Sequence, residues 1–273
     1  MSTLTTTLAA KGITATEIDT VRNSNVCKGY ILENGTNIKP VIYYSADDTE
    51  ESFVERAMIT VSMPTPHIDA EEMISRENLL SKTYLCIQKQ GEEPIIKKKF
   101  LDLELYVRLG VDIPDDESKG SIKVTPALIN RAGLSEDELF AAAERNSIKK
   151  VTISSMTEVL EELGVPADLI NETPFYVATY HDRTHGAGIM ALPEVLHNFC
   201  EEKGYSRISI IPSSIEEVLL LPVESIDPED LAAMVSDVNR STVDPTLQLN
   251  PTAYTYDDAT RKVSIASSIR EEA

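Results

Sequence analysis

The stretch FLDLELYVRLGV, residues 100–111, alternates apolar and polar side chains without a break. The apolar positions are Leu101, Leu103, Leu105, Val107 and Leu109, and those between them are Asp102, Glu104, Tyr106 and Arg108. Successive side chains of a β-strand point to opposite faces of the sheet. The pattern therefore predicts a half-buried strand, with one face in the core and the other in solvent.

Turn signals around this strand predict antiparallel pairing. PDDESKG (114–120) is a turn, and SIKVT (121–125) is the expected hairpin partner. Nearer the N-terminus, ENGTN (33–37) divides two alternating segments, so residues 28–44 are expected to form a second hairpin. A third hairpin is expected where AYTYDDATRKVSIA (253–266) alternates on both sides of DDAT.

Helix-start signals lie between the hairpins. Ser135 with Glu138, and Ser155 with Glu158, have the spacing of a capping box, in which each side chain bonds the other residue's backbone N–H. Asp227 precedes a proline, and this pair is typical of a helix cap followed by the first helical residue. The second half of the chain is therefore expected to carry at least three capped helices.

The same signals define the expected architecture. A further helix is expected over residues 45–63, with Ser45 or Asp47 as its cap. Hairpins and capped helices together predict an α+β fold with mostly antiparallel sheets and packed helices. We expect either one fused domain or two α+β lobes, residues 1–112 and 113–273.

The segment IPSSIEEVLLLP (211–222) could be a serine nucleophile elbow or a short structural turn. An elbow favours the G-x-S-x-G pattern, because small neighbours let the backbone turn sharply. The neighbours of Ser213 and Ser214 are proline, isoleucine and glutamate. We therefore expect the serines to cap one helical turn, with Glu216 or Glu217 completing a capping box before the chain re-enters the sheet.

The charge balance excludes two classes of partner. The chain has 45 acidic and 25 basic residues, which gives a formal charge of −20. Proteins that bind nucleic acid directly carry a basic surface, and binding to anionic lipid also needs basic residues. We therefore expect no direct nucleic-acid binding and no membrane binding.

Acidic residues occur in clusters, which have two interpretations. Most clusters precede predicted helices, where acids stabilise the positive end of the helix dipole and form a solvated surface. The alternative is that acidic faces bind a basic partner. The candidate binding residues are Asp47, Asp48, Glu50, Glu51, Asp115, Asp116 and Glu117.

The N-terminus and the cysteines point to a reducing compartment. The opening MSTLTTTLAAKG has no basic segment followed by an apolar run, so it is not a secretory signal. No window approaches the length of an apolar membrane span. Cys27, Cys86 and Cys200 are odd in number and widely separated, which favours free thiols over a disulfide framework. We therefore expect a cytoplasmic protein.

The segment HDRTHG contains the second candidate site. His181 and His185 are four residues apart, a spacing that places two metal ligands on one helix face. Two glycines follow within three residues, so we expect a loop and predict no metal site. The alternative function is a hydrolase or nucleotide-handling enzyme, in which residues 181–188 lie beside Ser213 and Ser214 at one sheet edge.

Nearly the whole chain resembles an uncharacterised family of Gram-positive gut bacteria and of their phages and conjugative elements. The segments that carry the resemblance are NIKPVIYY, FLDLELYVRLGV, LSEDELFAAAERN, PFYVATY and ISIIPSSIEEVLLLP. In that family the last segment resembles LPSSIHEVLLLP, so the match is most specific at residues 212–222 and at Asn239. The position that is often histidine there is Glu216 here, which favours a structural turn. The resemblance implies no reaction, cofactor or catalytic residue.

The genomic setting that the resemblance implies, together with the charge, suggests a function. We expect a non-enzymatic acidic binding protein of a phage or mobile element that acts on a host protein with a basic surface. In its sharper form it inhibits a nucleic-acid-handling or defence system by occupying the groove that holds DNA. We expect no cofactor. A homo-oligomer is the third alternative, and a large exposed apolar patch would indicate it.

Overall fold

The structure is a computed structural model that describes residues 3–23, 25–35, 39–44, 48–63, 69–112, 119–170 and 173–268. Every strand pair formed by these residues is antiparallel, and helices pack on the sheets. The predicted α+β class is therefore confirmed. Within the described ranges, no helix is long and apolar enough to cross a membrane.

The N-terminal residues form a small unit with its own core. Its elements are helix α1 (Thr3–Ala10), strands β1 (Ala15–Arg22), β2 (Asn25–Leu32) and β3 (Val41–Tyr43), and helix α2 (Glu50–Ser62). β2 pairs with both β1 and β3, which confirms the hairpin predicted for residues 28–44. Leu8, Leu32 and Phe53 are fully buried between this sheet and the two helices. The core of the unit is separate from the main core of the protein.

Helix α2 begins after a different cap from those predicted. The Thr49 side chain accepts a hydrogen bond from the Ser52 backbone N–H, and the Ser52 side chain accepts one from the Thr49 backbone N–H. This reciprocal pair satisfies two of the free N–H groups at the helix start. The prediction of Ser45 or Asp47 as the cap was wrong, because a serine can complete the capping box in place of glutamate. Ser45 and Asp47 themselves lie outside the described residues.

The middle of the chain forms the central sheet. Its elements are helices α3 (Ala70–Met73) and α4 (Arg76–Lys82) and strands β4 (Thr83–Lys89), β5 (Lys97–Phe100), β6 (Leu103–Asp112) and β7 (Lys119–Lys123). β6 pairs with β4 along one edge and with β5 and then β7 along the other. The predicted strand and its hairpin partner are confirmed as β6 and β7, but Leu101 and Asp102 of the alternating stretch lie in the turn that follows β5, where Leu101 has φ of 57°. The proposed lobe boundary at residues 112/113 falls between β6 and β7, which belong to one sheet.

Both faces of β6 are covered, which corrects the prediction of a half-buried strand. Helices α5 (Pro126–Ala132) and α6 (Glu136–Ile148) follow the central sheet, and α4 and α6 pack against β4 and β6. On the other face, Glu104 and Tyr106 are only 5% and 2% exposed. Alternation shows that the two faces differ in polarity, but it does not show whether water or protein covers the polar one.

The C-terminal half forms the third sheet, in the order β13-β12-β10-β11-β9-β8. Its elements are β8 (Val151–Ser155), α7 (Met156–Glu162), β9 (Tyr176–Tyr180), α8 (Pro193–Lys203), β10 (Arg207–Pro212), β11 (Val218–Pro222), α9 (Pro228–Ser241), β12 (Thr252–Asp257) and β13 (Lys262–Ser268). Short 3₁₀ turns precede β9 and α8. The predicted terminal hairpin is confirmed as β12 and β13.

Local helix signals were reliable in this half of the chain. Ser135 with Glu138, and Ser155 with Glu158, form the predicted capping boxes at the starts of α6 and α7. The Asp227 side chain accepts from the Glu229 backbone N–H at the start of α9. These interactions involve only neighbouring residues, so the sequence determines them directly.

The segment 211–222 joins two strands, as predicted, but the strands form a β-hairpin and the connection between them is not a helical turn. β10 and β11 pair from Ile208–Pro222 to Pro212–Val218, which leaves residues 213–217 as the connecting loop. Ser214 Oγ accepts a hydrogen bond from the Glu216 backbone N–H at 3.0 Å, two residues on. This local bond replaces the predicted helix cap, because serine side chains stabilise tight turns as well as helix starts.

One carboxylate joins the central and C-terminal sheets. Asp102, in the turn between β5 and β6, accepts from Tyr254 Oη at 2.6 Å and from Thr252 Oγ1 at 2.9 Å. Asn250 Nδ2 donates to the same side chain at 3.1 Å. Burial, with the carboxylate beside it, raises the pKa of Tyr254. The two sheets are therefore held together by a cluster of hydrogen bonds to one charged acceptor.

Replacing Asp102 by alanine is expected to destabilise the protein by about 1–3 kcal/mol, because the buried Tyr254 hydroxyl loses its acceptor. Urea denaturation of Asp102→Ala measures this loss. Asp168→Ala, at an exposed position, is the control and should unfold as the wild type does. Equal stability of the two variants would contradict the role of Asp102.

Candidate functional site

The register of the central sheet collects polar side chains on one face. Residues directly opposite each other on paired strands share a face. The residues brought together in this way include those that we call the polar face: Tyr84, Cys86, Gln88, Lys97, Lys99, Glu104, Tyr106, Arg108, Ser121 and Lys123. This face is the one that the other two sheets help to cover.

Four charged residues of this region form a buried network, in which the side-chain amide of Gln88 links two ion pairs. Lys123 forms an ion pair with Glu93 and donates to Gln88 Oε1 at 2.9 Å. Gln88 Nε2 donates to Glu104 Oε1 at 2.7 Å, and Lys97 Nζ lies 3.1 Å from Glu104 Oε2. The two glutamate side chains are each 7% exposed. Each buried carboxylate thus has one lysine, and burial lowers the pKa of Lys123.

Arg108 differs from these lysines in its partners. Its Nε donates to Ser121 Oγ at 2.9 Å, and its Nη2 donates to the Ser121 carbonyl at 3.0 Å. Both acceptors are uncharged, and no carboxylate among the described residues pairs with the guanidinium. The half-buried Arg108 therefore carries a positive charge that the described chain does not neutralise.

A pocket of about 490 Å³ lies over Arg108, where the three sheets meet. We call it the Arg108 pocket. Thr20 and Tyr43 reach it from the N-terminal unit, Arg108 and Lys123 from the central sheet, and His185 from the loop before α8. Because every sheet contributes a wall, the pocket depends on the whole fold and not on one hairpin.

Asn23 fixes the N-terminal unit beside this pocket. It lies in the β1–β2 turn with φ of 47°, a left-handed conformation that asparagine tolerates. Its Oδ1 accepts from the Lys89 backbone N–H at 2.8 Å, and its Nδ2 donates to the Gln248 carbonyl. One side chain thus bonds the central sheet and the C-terminal half at once.

The loop of residues 181–188 packs closely against the sheets beside the pocket. A Cβ atom at Gly188 would lie 2.2 Å from the Leu85 carbonyl oxygen, and one at Gly186 would lie 2.5 Å from Thr179 Cα. No side chain fits at these separations, so both positions need glycine.

The hairpin loop 213–217 holds this segment in place. Glu216 Oε2 accepts from the His185 backbone N–H at 2.6 Å, and the Glu216 carbonyl accepts from the Gly186 N–H at 2.9 Å. The neighbouring Ala187 N–H donates to the Ile215 carbonyl at 3.1 Å. The two loops therefore meet at one sheet edge, as the sequence indicated. The contact is made by Glu216 and the backbone.

The predicted serines and histidines do not form a nucleophile–base pair within the described residues. Ser213 Oγ donates to Glu217 Oε1 at 3.1 Å, and Ser214 Oγ accepts from a backbone N–H. The exposed His181 ring bonds a threonine hydroxyl and a backbone carbonyl. Of the two histidines, His185 alone lines the Arg108 pocket. Among the described residues, no group of three acidic, histidine or cysteine side chains could hold a metal ion.

A second pocket, of about 330 Å³, shares Ser121 with the first. Lys150 lies 4.6 Å from the centre of the Tyr84 ring and 3.3 Å from Asp182. Burial raises the pKa of Tyr84 to about 12. Burial alone would raise the pKa of Asp182, but Lys150 and the hydrogen bonds from Thr184 together outweigh burial, and the pKa is lowered. Of the three lysines that line this second pocket, Lys82 and Lys150 are paired with Asp112 and Asp182.

The predicted acidic binding residues fall partly outside the described chain. Asp48 accepts from Arg56 Nη2 at 2.7 Å, and Glu50 and Glu51 lie in the first turn of α2. Glu50 also accepts from the Thr7 hydroxyl. The candidates that lie outside the described residues are Asp47, Asp115, Asp116 and Glu117.

The sequence analysis did not single out Arg108, Lys123 or Glu93, which the structure places in or beside the pocket. Arg108 was assigned to a solvent-facing side, and Lys123 lay in a segment noted only as a hairpin partner. A cationic position inside a regular strand of a strongly acidic chain was the available signal. Nothing in the sequence near Glu93 indicated that its side chain would be buried.

The fold and this site define an α+β protein with a polar pocket at the junction of three antiparallel sheets. The chain belongs to a family of unknown function, DUF5688, which it matches over residues 10–258. A comparison with curated proteins found no match. A comparison with solved structures also found none.

Gly188→Ala is expected to destabilise the protein by about 1–3 kcal/mol, because the added methyl group overlaps the Leu85 carbonyl. Urea denaturation measures the change. Gly110→Ala is the matched control: its nearest contact would be 3.3 Å, to the Lys82 carbonyl, so a smaller loss is expected. Wild-type stability of Gly188→Ala would show that the loop does not need this close approach.

Proposed function

We propose that the protein is a binding protein that holds a small organic anion in the Arg108 pocket. The observation that carries the proposal is the half-buried guanidinium, which has only uncharged acceptors among the described residues. Charged groups inside proteins are normally paired, because leaving water without a partner is costly. An anionic ligand supplies the missing partner.

The chemistry of the pocket suits such a ligand. A guanidinium group offers its N–H donors in a planar fork that matches carboxylate and phosphate oxygens. Nε and Nη2 of Arg108 are oriented by Ser121, so the side chain is held in place before the ligand arrives. A volume of about 490 Å³ lies within the range of small-molecule sites.

Binding is favoured over catalysis by the partners of the other polar groups. Lys123 is held by Glu93 and Gln88, and Ser213 and Ser214 are engaged in their own loop. The hydrolase alternative needs a histidine beside a serine hydroxyl, and the described residues provide no such hydrogen bond. The hydrolase alternative would therefore have to use His185, which lines the Arg108 pocket.

The proposal predicts saturable binding of small anions that requires Arg108. Acetate, added to ¹⁵N-labelled protein at constant ionic strength, is expected to shift the backbone amide signals of Ser121 and Lys123. Arg108→Gln should abolish the saturable shift, because the cation is lost. Arg145→Gln, at an exposed arginine of α6, is the control and should respond as the wild type does. Equal responses of wild type and Arg108→Gln would contradict the proposal.

A second candidate function uses helix α2, and it retains the expectation of a host protein partner with a basic surface. The first turn of α2 carries Glu50 and Glu51, and its last turns expose Met58 and Ile59, which are 50% and 49% exposed. Acids beside exposed methionine are suited to a partner that presents both basic and apolar side chains. A cytoplasmic setting in a phage or mobile element, where such a protein would inhibit a host defence system, is part of this proposal.

This second candidate predicts a salt-sensitive complex that depends on α2. Tagged protein should capture a basic host protein at low salt and release it at high salt, because exposed charge contacts are screened. A variant with Glu51→Gln and Met58→Ser should lose the partner. A control variant with Glu194→Gln and Glu201→Gln, on α8, should retain it. Capture that is unaffected by the α2 changes would exclude this surface.

A further inference from the structure

The two lysines of the buried network beside the Arg108 pocket are already paired before any ligand binds. Lys123 is paired with Glu93 and Lys97 with Glu104, and both carboxylates are almost fully buried. Gln88 bonds both glutamates and accepts from Lys123, so the pairs form one connected unit. The network therefore presents lysines near the pocket without adding net positive charge.

A further carboxylate lies close to the opposite wall of the pocket. Glu216 accepts from the backbone N–H of His185, which lines the pocket, and the adjacent Ile215 lines it too. Glu93, Glu104 and Glu216 thus each contact a residue that lines the pocket, namely Lys123, Gln88 and His185. Each of them repels an additional negative charge, and repulsion is strong where protein replaces water.

We infer that the Arg108 pocket selects a singly charged carboxylate and rejects doubly charged phosphate and sulfate, and that Glu93 and Glu104 impose this choice. This inference rests on the proposed function and specifies its ligand. One carboxylate neutralises Arg108. A doubly charged anion would leave one negative charge near three carboxylates, with Lys97 and Lys123 of the buried network already paired.

The buried environment of Glu93 strengthens the argument. Glu93 Oε2 takes the hydrogen bonds from Lys123 and Gln88, whereas Glu93 Oε1 is buried and has no hydrogen-bond partner among the described residues. Part of the negative charge of Glu93 is therefore not offset by a direct donor. A second negative charge on the ligand would lie near the Glu93 carboxylate and would be repelled by it.

The test compares acetate with sulfate in the amide titration of Ser121 and Lys123, at constant ionic strength. Wild-type protein is expected to bind acetate at least about tenfold more tightly than sulfate, a ratio that corresponds to about 1.4 kcal/mol. Glu93→Gln and Glu104→Gln keep the shape of each side chain and remove its charge. Each is expected to raise sulfate affinity about tenfold and acetate affinity only about threefold, because the repulsion that is removed is proportional to the charge of the anion. Glu136→Gln, at an exposed position, is the control.

A measurement on unmodified protein keeps the inference testable if these variants do not fold. Inorganic phosphate is mostly singly charged at about pH 5.5 and mostly doubly charged at about pH 8. Its affinity relative to sulfate, which stays doubly charged, should fall as the pH rises through this range. The sulfate affinity at each pH is the reference, because any change in it reports titration of the protein and not of the ligand.

The outcomes separate this inference from the proposed function. Equal affinity for acetate and sulfate, with both lost in Arg108→Gln, would overturn the selectivity and leave the anion site in place. An unchanged phosphate-to-sulfate ratio across the pH range would overturn it equally. If neither anion shifts the amides of Ser121 and Lys123, both the proposed function and the inference fail.

Discussion

The structure depends on the burial of the polar face of β6. This strand is bonded along both edges, helices cover its apolar face, and its polar face is also covered by protein. The N-terminal unit, the loop 181–188 and the hairpin loop 213–217 converge on that face. Covering it places charged side chains inside the molecule, where each needs a partner. The lysines form ion pairs with glutamates, and Arg108 donates hydrogen bonds to a serine.

This arrangement explains how a strongly acidic protein can have a site for an anion. With a formal charge of −20, the protein's long-range field repels anions. Selectivity must therefore come from short-range contacts inside the pocket, where salt screens least. Arg108, oriented by two hydrogen bonds to Ser121, provides such a contact. The same acids on the outside of α2 remain suited to a basic partner, so the two candidate functions use different surfaces.

How far the sequence predicted the fold depended on how local each interaction is. The capping boxes of α6 and α7 each join residues three positions apart, so their pattern was visible in the chain. The hairpin of β6 and β7 followed from alternation and a turn. The burial of the polar face could not be predicted in this way, because the residues that cover it lie far away in sequence. The loop 213–217 was misjudged for a related reason: serine next to glutamate is compatible with either a helix cap or a turn.

The site was harder to predict than the fold. The sequence directed attention to His181, His185, Ser213 and Ser214, and of these only His185 reaches the pocket. Glu216, noted as a departure from the related motif, proved to be the residue that holds the loop. Arg108 and Lys123 become neighbours through strand register, and Glu93 meets Lys123 from a separate loop. Such encounters depend on tertiary structure and leave no pattern in a single sequence.

The most direct test of the account is a crystal structure of the protein soaked in formate, with attention to the electron density at Arg108. The account predicts a planar anion bonded to the guanidinium, with the Lys123–Glu93 and Lys97–Glu104 pairs intact beside it. Density that joins Arg108 to a carboxylate of its own chain, or that shows only water at a saturating concentration of formate, would contradict the account.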